Sequence, residues 1–255
     1  MKTVLTVSEL GKTYTTKNIK YQVLKDVNMK VYEGEFVSVM GPSGSGKTTL
    51  LNIISGFLGT DKGSVYLGKS NLLNASNEEL ADIRQTKMGF IFQDYMLIDG
   101  LTVKENIMLP QVIAGKEIEK IQCKTDDLLG KMGIQDIEDK YPSDISGGQK
   151  QRTAIARALS NNPLLVLADE PTGNLDSKSA QDVIDAFQTA RAELEATIVM
   201  VTHDAVAASN SDRIIALSDG RIVGELKREV SPRNFLDQVL GFMGRINGVD
   251  HEDVK

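Results

Sequence analysis

Residues 41–48 combine glycine, lysine and threonine in a pattern suited to binding phosphate groups. Their sequence, Gly-Pro-Ser-Gly-Ser-Gly-Lys-Thr, matches in full the loop whose backbone N–H groups turn inward around nucleotide phosphates. An apolar strand at residues 37–40 precedes the loop, and the positive end of a helix beginning near Lys47 adds to the attraction. We expect Lys47 to reach the β- and γ-phosphates and Thr48 to ligate Mg²⁺. The predicted nucleotide ligands are Gly41, Pro42, Ser43, Gly44, Ser45, Gly46, Lys47, Thr48 and Thr49.

A second set of residues suited to phosphate lies far downstream, at Ser146, Gly147, Gly148 and Gln149. A helix predicted at about residues 149–160 would point its first N–H groups at an anion, with the Ser146 hydroxyl beside them. Taken alone, these residues are equally typical of an ordinary helix N-cap with a glycine entry. Because a helical insertion would hold this end away from the chain's own phosphate loop, the simplest geometry is two copies head-to-tail. Each copy would then present residues 146–149 to the nucleotide of the other.

Two acidic residues, Asp169 and Glu170, end the apolar run at residues 164–168. In a parallel sheet, ligands bind at the carboxyl ends of the strands, where the strand order reverses. Asp169 is therefore predicted to hold Mg²⁺, directly or through water, and Glu170 to act on the water that attacks the γ-phosphate. A solvated acidic pair at a strand end is the plainer interpretation, but a Mg²⁺-nucleotide loop requires an acidic partner.

The elements that position these residues follow the alternation of an α/β fold with a mainly parallel sheet. Continuous apolar runs at residues 164–168 and 197–201 are typical of central parallel strands, with a helix at about residues 179–194 between them. Strand-rich segments at residues 4–10 and 22–31 predict an antiparallel β layer before this core. Asp219 and Gly220 predict a hairpin turn. Residues 94–162 show helical spacing and no convincing strand, and indicate an inserted helical subdomain, in which residues 102–105 form a capping box that opens a helix through Met108.

Composition narrows the class of protein. The chain has 255 residues with a formal net charge of −6, which argues against a general nucleic-acid binder. Its single cysteine, Cys123, fits a reducing compartment. No apolar run approaches the roughly 18 residues that span a bilayer, and the N-terminus is interrupted by polar residues, as in a strand and unlike a signal peptide.

The motifs together resemble, over nearly the whole chain, the ATP-binding cassette (ABC) ATPases. Residues 41–48 match the Walker A loop, Gln93 the Q-loop, and residues 145–149 the signature, with Ile145 where leucine is commonest. Residues 164–170 match Walker B with the catalytic carboxylate, and residues 174–176 match the D-loop. His203 matches the switch histidine, and Tyr14 stands where the family stacks an aromatic ring on adenine.

The resemblance implies roles for individual residues. Gln93 would contact Mg²⁺ or the attacking water and link the site to the helical insertion, and His203 would hydrogen-bond the γ-phosphate. With Glu170, they form the expected catalytic set. Asp176 would lie at the interface of the dimer and couple its two ATP sites. The expected cofactors are ATP and Mg²⁺, with Thr48, Gln93 and Asp169 around the metal.

Within the family, residues 89–110 and 169–178 are similar to the macrolide-exporter and lipoprotein-releasing subgroup. The likeness is greatest to ATPases of bacitracin- and lantibiotic-resistance transporters, and residues 92–95, 101–107 and 202–209 carry it. It implies a membrane permease that contacts residues 94–110, a sensor kinase reached through that permease, and a cytoplasmic location at the inner face of the membrane. The alternative is a regulatory cassette of the cell-division type, which signals through a membrane partner without moving a substrate.

The resemblance also implies that residues 1–255 form a single ABC ATPase domain. We expect a core with the β layer at residues 1–93 and 163–230, the helical subdomain at 94–162, and a C-terminal helix and tail at 231–255. In that helix, an apolar stripe at Phe235, Val239, Phe242, Met243 and Ile246 fits either packing on the core or binding to the permease or kinase.

Overall fold

A computed structural model describes residues 2–16 and 19–246 of the chain. The chain divides into two compact units, Met1–Ala75 with Val199–Lys255, and Ser76–Ile198. The first unit begins with β1 (Thr3–Thr16), β2 (Ile19–Tyr32), β3 (Phe36–Met40), α1 (Lys47–Ile54), β4 (Lys62–Leu67) and β5 (Ser70–Asn71). The second contains α2 (Asn77–Lys87), β6 (Met88–Ile91), α3 (Val103–Ile113), α4 (Ile118–Lys131), α5 (Gly147–Leu159), β7 (Leu165–Asp169) and α6 (Ser177–Leu194). Strand β8 (Ile198–Thr202) crosses the boundary, and the first unit resumes with α7 (Ala205–Ala208), β9 (Arg213–Ser218), β10 (Arg221–Lys227) and α8 (Pro232–Ile246).

The first unit contains the predicted antiparallel β layer. Its strands run in the order β2-β1-β4-β5, and β1 pairs antiparallel with both β2 and β4. The two long strands extend beyond the predicted segments and carry register shifts, with Glu9 and Asp26 in the left-handed region at φ 50° and 61°. The residues of β4 and β5 complete a sheet that the sequence indicated only for the first 40 residues.

Parallel pairing occurs in both units. In the first, β3 pairs parallel with β9, and β9 returns antiparallel to β10 through the predicted turn at Asp219 and Gly220. In the second, β6 pairs parallel with β7. Strands β3 and β8 are buried along their whole length, which explains their continuous apolar sequences. The predicted α/β class, with a parallel core and an N-terminal antiparallel layer, is confirmed.

The predicted helical insertion lies within the second unit. Between β6 and β7 the chain forms α3, α4 and α5 with two short 3-10 turns, and no strand occurs in this described stretch. Helix α3 begins at the predicted capping box, in which Thr102 and Glu105 exchange side-chain and backbone hydrogen bonds. Helix α2 was not predicted because its exposed sequence buries only Ile83 and shows little apolar periodicity. The predicted division of the chain at residues 94, 162 and 231 stays a prediction.

Helix α8 packs on the first unit, as the apolar stripe suggested. Phe235 and Val239 are fully buried. Their cluster also contains Met40, Ala208 and Ile214, with Phe242 and Met243 packed against it. Phe235, Val239, Phe242 and Met243 therefore pack on the core, as the first of the two interpretations predicted. The predicted tail at residues 247–255 lies outside the described residues. No helix within residues 2–16 and 19–246 has both the length and the apolar character needed to cross a membrane.

Candidate nucleotide site

The phosphate loop connects β3 to α1 in the first unit. Gly44 and Gly46 adopt positive φ angles of 78° and 105°. Gly46 is the N-cap residue of α1, and no described side chain caps this helix by a hydrogen bond. The Lys47 ammonium folds back over the loop, donating to the carbonyls of Gly41 at 2.8 Å and Pro42 at 3.1 Å. Because this side chain is buried and positively charged, the hollow of the loop is suited to an anion.

The neighbouring strands leave room only for glycine at two positions of this loop. A Cβ on Gly41 would lie 2.0 Å from the Leu217 carbonyl oxygen, and one on Gly46 would lie 2.8 Å from Leu24 Cδ2. The loop backbone therefore packs directly against Leu217 and Leu24 at these two glycines. Within it, the Ser45 side chain is buried and its hydroxyl has no hydrogen-bond partner among the described residues. A buried hydroxyl of this kind needs a partner, and a phosphate oxygen would supply one.

Tyr14 and His203 belong to the same unit as the phosphate loop. Tyr14 on β1 stands directly opposite Tyr21 on β2 and is 40% exposed. The Lys12 ammonium lies 5.6 Å from the centroid of the Tyr14 ring, in a cation–π contact. His203 directly follows β8 and is exposed, and the next residue, Asp204, caps α7 by accepting from the Val206 N–H at 2.8 Å.

The acidic pair ends β7 in the second unit. Asp169 is the last residue of the strand, and Glu170 adopts a left-handed φ of 46°. The Glu170 carbonyl accepts from the Gly173 N–H at 3.0 Å, so a tight turn follows the strand. A left-handed conformation is costly for a residue with a side chain, and such residues concentrate at functional sites. Seven other described non-glycine residues also have a positive φ, so the catalytic role of Glu170 stays a prediction.

Gln93 and Asp176 also lie in the second unit. The Gln93 side-chain amide donates to Asn174 Oδ1 at 3.1 Å. Asp176 caps α6, where one carboxylate oxygen accepts from the Ser179 N–H at 3.1 Å and the other from the Ser179 hydroxyl at 2.7 Å. These hydrogen bonds from Ser179 lower the pKa of Asp176 from its ordinary value.

Ser146 caps α5 in a capping box. Its hydroxyl oxygen accepts from the Gln149 N–H at 3.3 Å, and Gln149 Oε1 accepts from the Ser146 N–H at 2.9 Å. The N-cap interpretation of this tetrapeptide is therefore correct as a description of the chain. This N-cap role is compatible with phosphate binding, because a serine hydroxyl that accepts one hydrogen bond can still donate another. A Cβ on Gly147 would lie 2.9 Å from the Tyr95 hydroxyl, so this turn is closely packed.

Arg157, which the sequence did not single out, holds the segment after Gln93. The Arg157 guanidinium, on α5, donates to the carbonyl oxygens of Tyr95, at 2.8 Å, and Met96. Burial lowers the pKa of Arg157 from its ordinary value. Tyr95 and Met96 both have left-handed φ angles, 61° and 48°. In the sequence, Arg157 is one of three basic residues of α5, with Lys150 and Arg152, and nothing sets it apart from the other two.

The family follows from comparison with known proteins. Residues 24–173 match the family model described as ABC transporter. The match covers more than half of the chain.

The chain belongs to the ABC transporter family.

Relatives resemble this cassette over almost its whole length. Bacitracin export ATP-binding protein BceA of Halalkalibacterium halodurans is 45% identical over 250 residues, which cover 98% of this chain and 99% of that protein. ABC transporter ATP-binding protein YxdL of Bacillus subtilis is 42% identical over 248 residues, 97% of this chain and 96% of that protein.

A solved structure gives the same result for the fold. The ATP-binding cassette MJ0796, in a dimeric post-hydrolysis state bound to ADP and Pi, is 39% identical and superposes with a TM-score of 0.79. The match covers 89% of this chain and 100% of that one. The chain is accordingly an ABC cassette that binds and hydrolyses ATP.

The predicted site residues of the cassette divide between its two units. The first unit carries Tyr14, the phosphate loop at residues 41–49, and His203. The second carries Gln93, Ser146, Gly147, Gly148, Gln149, Asp169, Glu170 and Asp176. Each unit therefore contains one helix N-terminus suited to phosphate, α1 in the first and α5 in the second.

Proposed function

We propose that two copies of this cassette bind two ATP molecules with Mg²⁺ in a head-to-tail dimer and drive a membrane permease. The observation that carries the proposal is the pair of helix N-termini suited to phosphate, one in each unit. A phosphate loop alone is sufficient to bind ATP, so a second phosphate surface in the chain requires a different task. The dimeric state of MJ0796, which is similar over 89% of this chain, supports a task in the partner's site.

In each site, the loop at residues 41–49 would hold the phosphates and Tyr14 would stack on the adenine. The buried Ser45 hydroxyl, which has no hydrogen-bond partner in the described part of the chain, and the inward-folded Lys47 ammonium fit this ligand. Mg²⁺ prefers a few protein oxygen ligands together with phosphate oxygens. Thr48, Gln93 and Asp169 supply oxygen atoms of this kind, and the metal would neutralise phosphate charge.

Hydrolysis would depend on three side chains with separate tasks. Glu170 would orient the attacking water and accept its proton, Gln93 would help to position that water, and His203 would donate a hydrogen bond to the γ-phosphate. The Ser146 hydroxyl would donate a hydrogen bond to the ATP of the other copy, beside the positive end of α5. Asp176 would couple the two sites across the dimer interface.

The permease partner is supported by an exposed apolar surface in the predicted contact segment. Met96 and Ile98 are 59% and 46% exposed. The fully buried Asn106 holds the backbone behind them, accepting from the Ile98 N–H at 2.8 Å and donating to the Ile98 carbonyl at 3.1 Å. An ordered surface with exposed apolar side chains is suited to binding another protein.

For the biological task, we propose resistance to antimicrobial peptides of the bacitracin and lantibiotic type. Full-length similarity to a bacitracin export ATP-binding protein supports this choice. The cassette would then lie in the cytoplasm, attached to the inner face of the membrane through its permease. A sensor kinase reached through that permease remains a prediction from the resemblance.

Replacement of the proposed catalytic carboxylate tests the chemistry. Glu170→Gln should abolish ATP turnover, since an amide cannot accept the proton of the attacking water, while ATP binding persists. Glu193→Gln, an exposed position on α6, is the matched control and should keep normal turnover. Hydrolysis at the normal rate by Glu170→Gln would overturn the assignment.

Capture of the chain's partner tests the biological task. A tagged chain should recover, from solubilised membranes, a ten-helix permease with one large extracellular domain, identified by mass spectrometry. Recovery of a four-helix partner would favour the regulatory cassette of the cell-division type instead. Recovery of no membrane protein would contradict both.

A further inference from the structure

Asn174 forms a two-sided hydrogen-bond pair with the Q-loop. Its carbonyl oxygen accepts from Gln93 Nε2 at 3.1 Å. Its amide nitrogen donates to the Gln93 backbone carbonyl at 3.3 Å and to Asp94 Oδ1 at 3.0 Å. An asparagine presents an acceptor and two donors on one short side chain, so it can hold the side chain and the backbone of Gln93 together.

The same turn limits where the Gln93 amide can go. A Cβ on Gly173 would lie 3.1 Å from Gln93 Nε2 and 3.3 Å from the Glu170 carbonyl oxygen. The turn that begins at Glu170 therefore passes close beside the Gln93 amide, and Asn174 is bonded to it. In this unit, the orientation of Gln93 is set by the residues that directly follow the proposed catalytic carboxylate.

This pair contributes little to the stability of the chain. Gln93 and Asn174 are both exposed, and hydrogen bonds at exposed positions compete with water. A purely structural role would be served better by a buried pair. The strained and clamped backbone next to it, at Tyr95 and Met96, indicates that this segment has to be held in one conformation.

We propose that Asn174 is a positioning residue for ATP hydrolysis, which acts by orienting the Gln93 side chain. The proposal rests on the function proposed above, in which Gln93 positions the attacking water. Asn174 itself need not touch ATP. Its loss should lower kcat by about tenfold, because small displacements of positioning groups have effects of this order or larger. KM for ATP should change little, because the phosphate loop is unaltered.

The experiment measures steady-state hydrolysis by the full chain for Asn174→Ala, Gln93→Ala and the double variant. Gln181→Ala is the matched control, since it removes another exposed amide hydrogen bond of this unit, to Asp185 at 2.9 Å. We expect Asn174→Ala to lower kcat, the double variant to be no slower than Gln93→Ala, and the control to keep normal turnover. Full kcat in Asn174→Ala, or multiplying losses in the double variant, would overturn the proposal.

A charge-conserving swap gives a second, independent test. Asn174→Asp alone retains the acceptor for Gln93 Nε2 but sets two carboxylates together at the contact with Asp94. Combining it with Asp94→Asn reverses donor and acceptor and restores the contact between residues 94 and 174, while the hydrogen bond to the Gln93 carbonyl stays lost. The combined variant should therefore recover part of the kcat that Asn174→Asp loses, and equal kcat in the two would contradict the proposal.

Hydrogen exchange supplies a readout that does not need turnover. Amide exchange in a peptide spanning residues 90–98 should be faster in Asn174→Ala than in the wild type, and unchanged in Gln181→Ala. Equal exchange in all three proteins would refute the link. Normal turnover in Gln93→Ala would instead contradict the proposed function, so the two failures can be told apart.

Discussion

Replacement of Ser45 by alanine should change stability and ATP affinity in opposite senses. Ser45 is 4% exposed, and its hydroxyl has no hydrogen-bond partner within the described residues. An unsatisfied buried polar group costs about 1–3 kcal/mol, so Ser45→Ala should raise the free energy of unfolding by about 1 kcal/mol. A hydrogen bond from this hydroxyl to a charged phosphate contributes about 1.5–3 kcal/mol. Its loss should raise the Kd for ATP by about ten- to a hundredfold.

Ser38 provides the control for this prediction. It lies on β3 of the same unit, is fully buried, and its hydroxyl also has no partner among the described residues. Ser38→Ala should therefore give a similar gain in stability with no change in ATP affinity. Urea denaturation and titration with a fluorescent ATP analogue measure the two quantities. An unchanged Kd in Ser45→Ala would refute the assignment of this hydroxyl to the phosphates.

Three further substitutions probe the loop, the signature turn and the core. Lys47→Ala should weaken ATP binding by at least about tenfold, measured by the same titration, because the ammonium over the loop is lost. Gly147→Ala should lower kcat, because its Cβ would lie 2.9 Å from the Tyr95 hydroxyl and would displace the turn that is proposed to bind the partner's ATP. The Kd for ATP should not change, because the phosphate loop is unaltered. Arg213→Met should lower the unfolding free energy by about 3 kcal/mol in urea denaturation, because the buried guanidinium bonds Glu35 at 2.8 Å and 3.1 Å.

Structural features that depend on residues adjacent in the chain could be predicted from the sequence. The phosphate loop is continuous in sequence, and its glycines and lysine carry their own signal. The capping box of α3 and the turn at Asp219 and Gly220 are equally local, and both occur in the structure. The parallel strands were recognisable because burial on both faces requires continuous apolar runs.

Contacts between distant residues could not be predicted in this way. Gln93 and Asn174 are 81 positions apart, and nothing in either segment alone indicates their pairing. The clamp of Arg157 on the Tyr95 carbonyl likewise depends on tertiary structure. Helix α2 was missed for a different reason, since its one buried residue, Ile83, leaves almost no apolar pattern to detect.

Ser146 is proposed to bind the ATP of a second copy, and a test of that role must leave its N-cap role in α5 intact. Aspartate and asparagine both cap helices as well as serine does. Ser146→Asp therefore preserves the start of α5 while placing a negative charge against the phosphate, and Ser146→Asn is the neutral control.

The measurement is the molar mass in solution, with ATP and Mg²⁺, of chains that carry Glu170→Gln to prevent hydrolysis. We expect a dimer for Glu170→Gln alone and with Ser146→Asn added. With Ser146→Asp added, we expect a monomer that still binds ATP. A dimer of normal stability in the Ser146→Asp chain would show that Ser146 does not contact the partner's ATP.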